Sequence, residues 1–149
     1  MALVLLGALL VGCVKPPEGA PGADYAQETS GGDAVVDVDL TALSSTMVYA
    51  EVYNMLLSPD DYRGKIIKMR GPYYADYYDE TCQYYHFVVI EDASACCAQG
   101  LEFIWAGEHI YPDDYPEDGE IIEVTGIFDS YEELGEQYFY IAADRMAAA

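Results

Sequence analysis

Residues 65–70 read Lys-Ile-Ile-Lys-Met-Arg, and this short stretch decides the fold class. Side chains of a β-strand alternate between two faces, so Ile67 and Met69 point to one face while Lys68 and Arg70 point to the other. An apolar face opposite a charged face is typical of a strand that covers a core on one side and meets water on the other. The stretch therefore predicts the first strand of an antiparallel β domain.

The same alternation recurs four times further along the chain. The predicted strands are residues 84–90, 101–105, 121–128 and 138–141, and residues 132–137 are expected to form the turn before the last of them. No helical pattern separates these segments, which argues against the βαβ units of a parallel sheet. Gly126 lies inside a predicted strand, a position typical of a bulge or a barrel corner.

One helix precedes the strands. Residues 45–58 combine a hydroxyl-bearing start with an apolar stripe at helical spacing, formed by Val48, Val52, Met55 and Leu56. Ser58 precedes Pro59 and should end the helix, because proline drives the residue before it out of the helical region. A single N-terminal helix with five short strands favours a closed antiparallel barrel over a sandwich.

The N-terminal segment reads as a targeting signal. Residues 2–14 carry no charge and form an apolar run of 13 residues, which is too short for a transmembrane helix and matches the core of a signal peptide. The run ends in Leu10-Val11-Gly12-Cys13, which resembles the lipobox of bacterial lipoproteins. This resemblance implies that residues 1–12 are a signal peptide and that Cys13 is lipidated as the mature N-terminus, on the outer face of the cell membrane.

The segment after Cys13 is expected to be a tether. From residue 15 to about residue 30 the chain is rich in Pro, Gly, Ala and acidic residues without apolar periodicity, a composition that does not build a core. We therefore divide the chain into the signal peptide, the lipidated cysteine with its flexible tether at 13–44, and a folded domain at 45–149.

Two glycine-flanked strands carry a further resemblance. Residues 62–71 and 118–126 are similar to the Gly-Lys-strand-Gly and Gly-strand-Gly arrangement of extracytoplasmic OB-like domains. Residues 91–103, with Ala-Cys-Cys at their centre, resemble small uncharacterised OB-fold-like lipoproteins of Gram-positive bacteria. They are also weakly similar to the OB-like domain of a membrane protein family that pairs with a permease in zinc homeostasis. The resemblance implies a five-stranded antiparallel OB-like barrel and no particular activity.

The charge balance is strongly acidic. The 149 residues include 27 Asp and Glu against 6 Lys and Arg, a formal net charge of −21. Between Gly71 and Asp144 there are 18 Asp and Glu and no Lys or Arg. Phosphate backbones are bound through Lys and Arg, so this composition argues against nucleic acid and favours a cation or a basic surface as partner.

Cysteine and histidine form one candidate site. If Cys13 carries lipid, Cys82, Cys96 and Cys97 remain, an odd number that cannot pair fully within the chain. Three states stay open: a disulfide from Cys82 to Cys96 or Cys97, buried thiols, or a metal site completed by His86. Thiolate and imidazole are ligands that zinc prefers, so zinc is the candidate cofactor. The adjacent cysteine pair is also a candidate redox switch.

Tyrosine is the other candidate, with fifteen in the chain. Aromatic residues on the open face of an OB barrel stack on bases or sugars, although on strands they more often serve packing. The candidate binding face consists of Tyr73, Tyr74, Tyr84 and Trp105. Since no basic groove accompanies these residues, a sugar or a protein is the expected ligand.

The functional expectation is a binding module. The chain contains no hydrolase nucleophile elbow, zinc-protease helix, phosphate loop or dinucleotide fingerprint, so we expect no catalysis. The sequence predicts a membrane-anchored extracytoplasmic lipoprotein that binds an envelope protein or glycan. The alternative is an accessory protein that handles zinc beside a transporter through Cys82, Cys96 and Cys97.

Overall fold

The computed structural model describes residues 35–91 and 97–149. One α-helix, α1, spans Ser45–Leu57. The six strands are β1 (Val38–Asp39), β2 (Ile66–Tyr78), β3 (Gln83–Glu91), β4 (Ala98–Trp105), β5 (Ile121–Glu133) and β6 (Glu136–Ala148). Two short 3-10 turns, Leu40–Ala42 and Pro59–Asp61, lie on either side of α1. No helix in these ranges is long and apolar enough to cross a membrane.

All six strands belong to one mixed sheet in the order β1-β2-β3-β4-β6-β5, and β5 also pairs with β2. The prediction of a mainly β protein with one helix is confirmed. The expectation of five antiparallel strands is wrong, because the sheet has a sixth strand and the pairs β1–β2 and β4–β6 are parallel. The β4–β6 pair is parallel because the chain passes through β5 before β6 returns beside β4. The alternation of residues within one strand carries no information about such a pairing.

The observed strands overlap the predicted ones but are longer. The largest difference is the β5–β6 hairpin, which turns at Leu134 and Gly135 alone. Both residues have positive φ, 52° and 85°, as the central residues of a type I′ turn require. The flanking residues 132–133 and 136–137 remain paired, although their polar composition favours a turn.

The core lies on the face of the sheet that carries Ile67 and Met69, both fully buried as predicted. We call this the inner face. The helix contributes Val52 and Met55 to the core, in agreement with the predicted apolar stripe. Other buried residues from every long strand complete it, among them Val88, Leu101, Phe103, Ile122, Val124, Phe128 and Ile141.

Gly126 allows β5 and β6 to approach closely at the register shift between Thr125 and Gly126. A Cβ at this position would lie 2.6 Å from both the Ala142 carbonyl carbon and the Ala143 Cα. Because these are main-chain atoms of a paired strand, they cannot rotate away. We expect Gly126→Ala to lower the free energy of unfolding by about 2 kcal/mol, measured by urea denaturation.

Gly100→Ala is the matched control for Gly126→Ala. Gly100 also lies in a strand, but the atoms nearest to a Cβ there would belong to the Phe87 side chain, at 3.4 Å or more. We expect this variant to differ from the wild type by less than about 1 kcal/mol. Equal losses in the two variants would show that close approach of the main chains is not the reason for the glycine at 126.

Candidate aromatic binding site

Nine aromatic side chains form one continuous cluster at one end of the inner face. It lies on the second half of β2, the first half of β3 and the end of β4, and the segment between β4 and β5 contributes three rings. We call this the aromatic cluster: Tyr73, Tyr77, Tyr84, His86, Phe103, Trp105, His109, Tyr111 and Tyr115.

Strand register places the β2 and β3 members together. Tyr77 pairs with Tyr84, Ala75 pairs with His86, and Tyr73 pairs with Val88 across the antiparallel β2–β3 ladder. Residues two apart on a strand share a face, so these side chains continue the face of Ile67 and Met69 beyond the core. The cluster is therefore an extension of the core that reaches the surface.

Main-chain hydrogen bonds fasten the end of the β4–β5 segment to β2. The Gly119 amide donates to the Tyr73 carbonyl at 2.7 Å, and the Tyr73 amide donates to the Glu120 carbonyl at 2.8 Å. Two residues after Tyr73, the Ala75 amide donates to Asp118 Oδ1 at 3.1 Å. These contacts hold the segment that carries Tyr111 and Tyr115 against the sheet.

The buried floor of the cluster centres on His86. Its Nδ1 lies 2.7 Å from the Tyr73 hydroxyl, and its ring stacks on Tyr115 with centroids 4.0 Å apart and planes 13° apart. Burial lowers the pKa of His86 to about 4, so the imidazole is neutral at pH 7. Burial also raises the pKa of Tyr73. The pair is therefore a neutral hydrogen bond at pH 7.

The open edge of the cluster consists of three tyrosines, which we call the tyrosine strip: Tyr77, Tyr84 and Tyr111. The Tyr77 and Tyr84 centroids are 4.9 Å apart and those of Tyr84 and Tyr111 are 4.3 Å apart. Tyr77 is 42% exposed and Tyr84 is 48% exposed. Their planes are tilted by 55° and 38°, so neither pair stacks face to face.

The surroundings of the tyrosine strip are acidic. Burial and, next, the negative charge of Asp118 raise the pKa of Tyr111. No Lys or Arg occurs from residue 71 to residue 144, so the chain supplies no cation from β3 or β4, or from the second half of β2. The strip thus offers aromatic surface in a negative electrostatic field.

A second polar feature lies on the opposite, outer face. Glu102 on β4 is 8% exposed and accepts a hydrogen bond from the Tyr131 hydroxyl at 2.8 Å. Burial raises the pKa of Glu102 to about 7, and the Glu133 charge adds to this, while the Tyr131 hydrogen bond opposes it. Beside it, the Tyr85 hydroxyl donates to Glu133 Oε2 at 2.6 Å. Burial and that hydrogen bond raise the pKa of Tyr85 to about 12.

The four residues of the predicted binding face do not lie together. Tyr84 and Trp105 belong to the aromatic cluster, but Tyr73 is fully buried beneath it. Tyr74 is exposed on the outer face, because consecutive strand residues point to opposite faces. Trp105 is partly covered, since His109 stacks on its ring at 3.4 Å. Of the four, Tyr84 is therefore the residue that both belongs to the aromatic cluster and is largely exposed.

The predicted metal ligands do not form one site either. Cys82 is disulfide-bonded, consistent with the disulfide considered for it, and His86 lies in the aromatic cluster with Nδ1 facing Tyr73. Cys97 is exposed. Cys13 and Cys96 lie outside the described residues. Within the two described ranges, no group of three or more His, Cys, Asp or Glu is placed to hold a metal ion.

Sequence reasoning missed Tyr77, Tyr111 and Tyr115 as parts of the site. The signal for Tyr77 was available, because it lies four residues after Tyr73 on the same strand and shares its face. Tyr111 and Tyr115 belong to a segment with no periodic pattern. Their positions depend on hydrogen bonds to β2 that only the folded chain shows.

Comparison with known proteins finds similarity to solved structures. No family model matches the sequence, and no match is found among curated proteins. The chain is similar to the N-terminal domain of the PriB protein from Thermoanaerobacter tencongensis, which was solved as a dimer. The two are 10% identical with a TM-score of 0.39, over 56% of this chain and 94% of that domain.

Proposed function

We propose that the protein is a membrane-anchored extracytoplasmic lipoprotein whose domain is a non-enzymatic binding module for a protein or glycan of the cell envelope. The observation that supports this best is the tyrosine strip. Two of its rings are nearly half exposed although they are part of a cluster that is otherwise packed. Exposed tyrosines on a rigid support provide a large contact area at a low cost in conformational entropy.

The strand connections support an OB-like barrel as the scaffold. Each of the five long strands pairs with two others, in the cycle β2-β3-β4-β6-β5 and back to β2. An OB fold is a five-stranded Greek-key barrel of this kind. It binds its ligands on one face of the sheet and at the adjacent loops. In this proposal β1 is an addition to the barrel that extends the pairing at β2.

The membrane anchor rests on Leu10-Val11-Gly12-Cys13, outside the described residues. In cells supplied with a labelled fatty acid, we expect the full-length chain to carry the label and to sediment with membranes. Cys13→Ala should lose both properties, whereas Cys97→Ala should keep both. Label retained by Cys13→Ala would contradict lipidation at this cysteine.

The binding function is tested by photo-crosslinking of the full-length chain in the envelope, followed by identification of the captured molecules. We expect Tyr84→Ala to lose at least 80% of a specific crosslinked product, since about 1.4 kcal/mol of lost contact reduces affinity tenfold. Tyr53→Ala is the matched control, because Tyr53 is 50% exposed but lies on α1, an element that contributes no ring to the aromatic cluster. A product that is unchanged in both variants, or no product with blank glycan arrays, would contradict the proposal.

A further inference from the structure

We propose that the tyrosine strip recognises the ammonium or guanidinium groups of a basic protein segment. This inference rests on the binding function proposed above and names the chemical class of the ligand. A cation placed over the face of an aromatic ring is attracted by the ring quadrupole when it lies within about 6 Å of the centroid. The strip presents three such rings within one short surface, Tyr77, Tyr84 and Tyr111.

The geometry of the rings leaves room for such groups. Tilts of 55° between Tyr77 and Tyr84 and 38° between Tyr84 and Tyr111 mean that no ring is covered face to face by its neighbour in the strip. The strip lies at the outer end of the cluster, whereas His86 and Tyr115 fill the interior behind it. A side chain that approaches from solvent therefore reaches aromatic surface without displacing a packed ring.

The electrostatic field selects the sign of the ligand. Asp118 lies close enough to act on Tyr111, and the β2–β3 turn adds Asp79 and Glu80 at the end of the hairpin. A neutral sugar gains nothing from this field and an anion is repelled, whereas a cation is attracted and steered towards the strip. Residues 71–144, which include β3, β4 and the segment between β4 and β5, contain no Lys or Arg, so the elements that carry most of the strip do not supply the cation themselves.

The chain uses the same combination of groups elsewhere. Just before the start of β2, at the opposite end of that strand from Tyr77, Lys65 Nζ lies 5.1 Å from the centroid of the Tyr62 ring. The Tyr62 hydroxyl donates to Glu51 at 2.7 Å, so this one tyrosine contacts an ammonium through its ring and a carboxylate through its hydroxyl. The tyrosine strip holds the phenol rings and the carboxylate but lacks the ammonium, which is the group that a basic segment would supply.

A paired-peptide titration tests this inference with the full-length chain in detergent micelles. The probe is a fluorescent nine-residue peptide of alternating Arg and Gly, and its partner carries neutral citrulline, which has nearly the shape of arginine, at every Arg position. We expect the arginine peptide to bind at least tenfold more tightly than the citrulline peptide. Equal binding of the two peptides would overturn the inference.

Variants of the strip separate ring recognition from general attraction to an acidic protein. The double variant Tyr77→Leu with Tyr84→Leu keeps every charge but removes two rings, and we expect it to bind the arginine peptide about tenfold more weakly. Tyr84→Phe keeps the ring and should bind as the wild type does. Tyr53→Leu on α1 should also bind normally. Affinity that is the same in all variants would overturn the inference, and thermal unfolding checks that each variant is folded.

The outcome also separates this inference from the proposed function. If an envelope glycan binds in a Tyr84-dependent manner while the arginine peptide does not bind, the ligand class is wrong but the binding function stands. If neither peptide binds and crosslinking also yields no product, both are wrong. Tyr84-dependent binding of the arginine peptide alone supports the inference and directs the search to basic proteins.

Discussion

Replacement of Glu102 by Gln is expected to raise the free energy of unfolding by about 3 kcal/mol at pH 8 and to change it little below pH 4. Glu102 is 8% exposed, and burial raises its pKa from 4.5 to about 7. The folded protein therefore holds this proton more tightly than the unfolded chain does. The resulting stabilisation is complete below pH 4.5 and is lost as the pH rises to about 7. Gln removes the buried charge and still accepts the hydrogen bond from Tyr131.

Urea unfolding of the wild type and Glu102→Gln between pH 3.5 and pH 8.5 measures this effect. The difference between the two proteins should grow between pH 4.5 and pH 7 and then stay constant. Glu91→Gln removes one negative charge at an exposed position of β3, so it measures the relief of general charge repulsion alone. A difference for Glu102→Gln that is independent of pH, or no larger than that for Glu91→Gln, would contradict the account of this carboxyl group.

The protonation state of Glu102 decides whether the outer face contains a buried charge. At a pH well below 7 the carboxyl group is protonated and its buried position carries no charge. Above pH 7 the charged form remains held between β3 and β6, because Phe87 and Tyr140 are its register partners on either side. The Tyr131 hydroxyl is then the donor that partly compensates the charge.

The pH dependence expected from His86 is opposite to that expected from Glu102. The contribution of His86 to the free energy of unfolding should fall by about 2 to 3 kcal/mol as the pH falls from 6.5 to 4. Burial lowers the pKa of this imidazole from 6.5 to about 4, so the unfolded chain binds the proton first. The stabilisation from the neutral His86 ring is fully present above pH 6.5 and disappears as the pH approaches 4. The loss stays below the full equivalent of the pKa shift because the ring is only partly buried and solvent screens its charge.

The variant His86→Phe tests this prediction. Phe keeps a ring against Tyr115 but cannot titrate, so the stability of this variant should rise as the pH falls from 6.5 to 4.5, because the effect of Glu102 is then no longer opposed. Its stability at pH 7 also falls, because the Tyr73 hydroxyl loses its partner. Tyr73→Phe is the control, since it removes the same hydrogen bond and keeps the titrating ring. The proposed origin of the effect is wrong if His86→Phe and Tyr73→Phe show the same pH dependence, or if NMR finds His86 titrating near 6.5.

The contributions of Glu102 and His86 oppose each other between pH 4.5 and pH 6.5. As the pH falls through this range, Glu102 takes up a proton in the folded state, which favours folding. His86 takes up a proton in the unfolded chain only, which favours unfolding. The two pKa shifts are similar in size. The wild type should therefore respond less to pH in this range than either single variant does.

Much of the fold could be predicted because its signals are local. The alternation in residues 65–70 places Ile67 and Met69 in the core, and the apolar stripe of α1 places Val52 and Met55 there. Each of these predictions depends only on the repeat of a strand or a helix, 2.0 or 3.6 residues. The proline at 59 ends α1 within one residue of the predicted position, because its effect acts on the adjacent residue.

The candidate site could be predicted only in part. Tyr84 was identified from its aromatic character, and the acidic surroundings follow from composition. Tyr73 was assigned to the same surface, yet it is buried and bonded to His86. Aromatic residues suit both packing and recognition, so residue type alone does not decide between them. The decisive quantity is exposure, which depends on how the β4–β5 segment covers the inner face.

The sequence by itself determined the secondary structure class, the single helix, the core positions on β2 and the acidic net charge. Only the tertiary structure decided that β6 returns parallel to β4, that Glu102 is buried, and that Tyr77, Tyr84 and Tyr111 meet at one edge. The physical reason is the range of the interactions. Hydrophobic periodicity acts over a few residues, whereas the β4–β6 pairing and the Tyr84–Tyr111 contact join positions that are 27 or more residues apart.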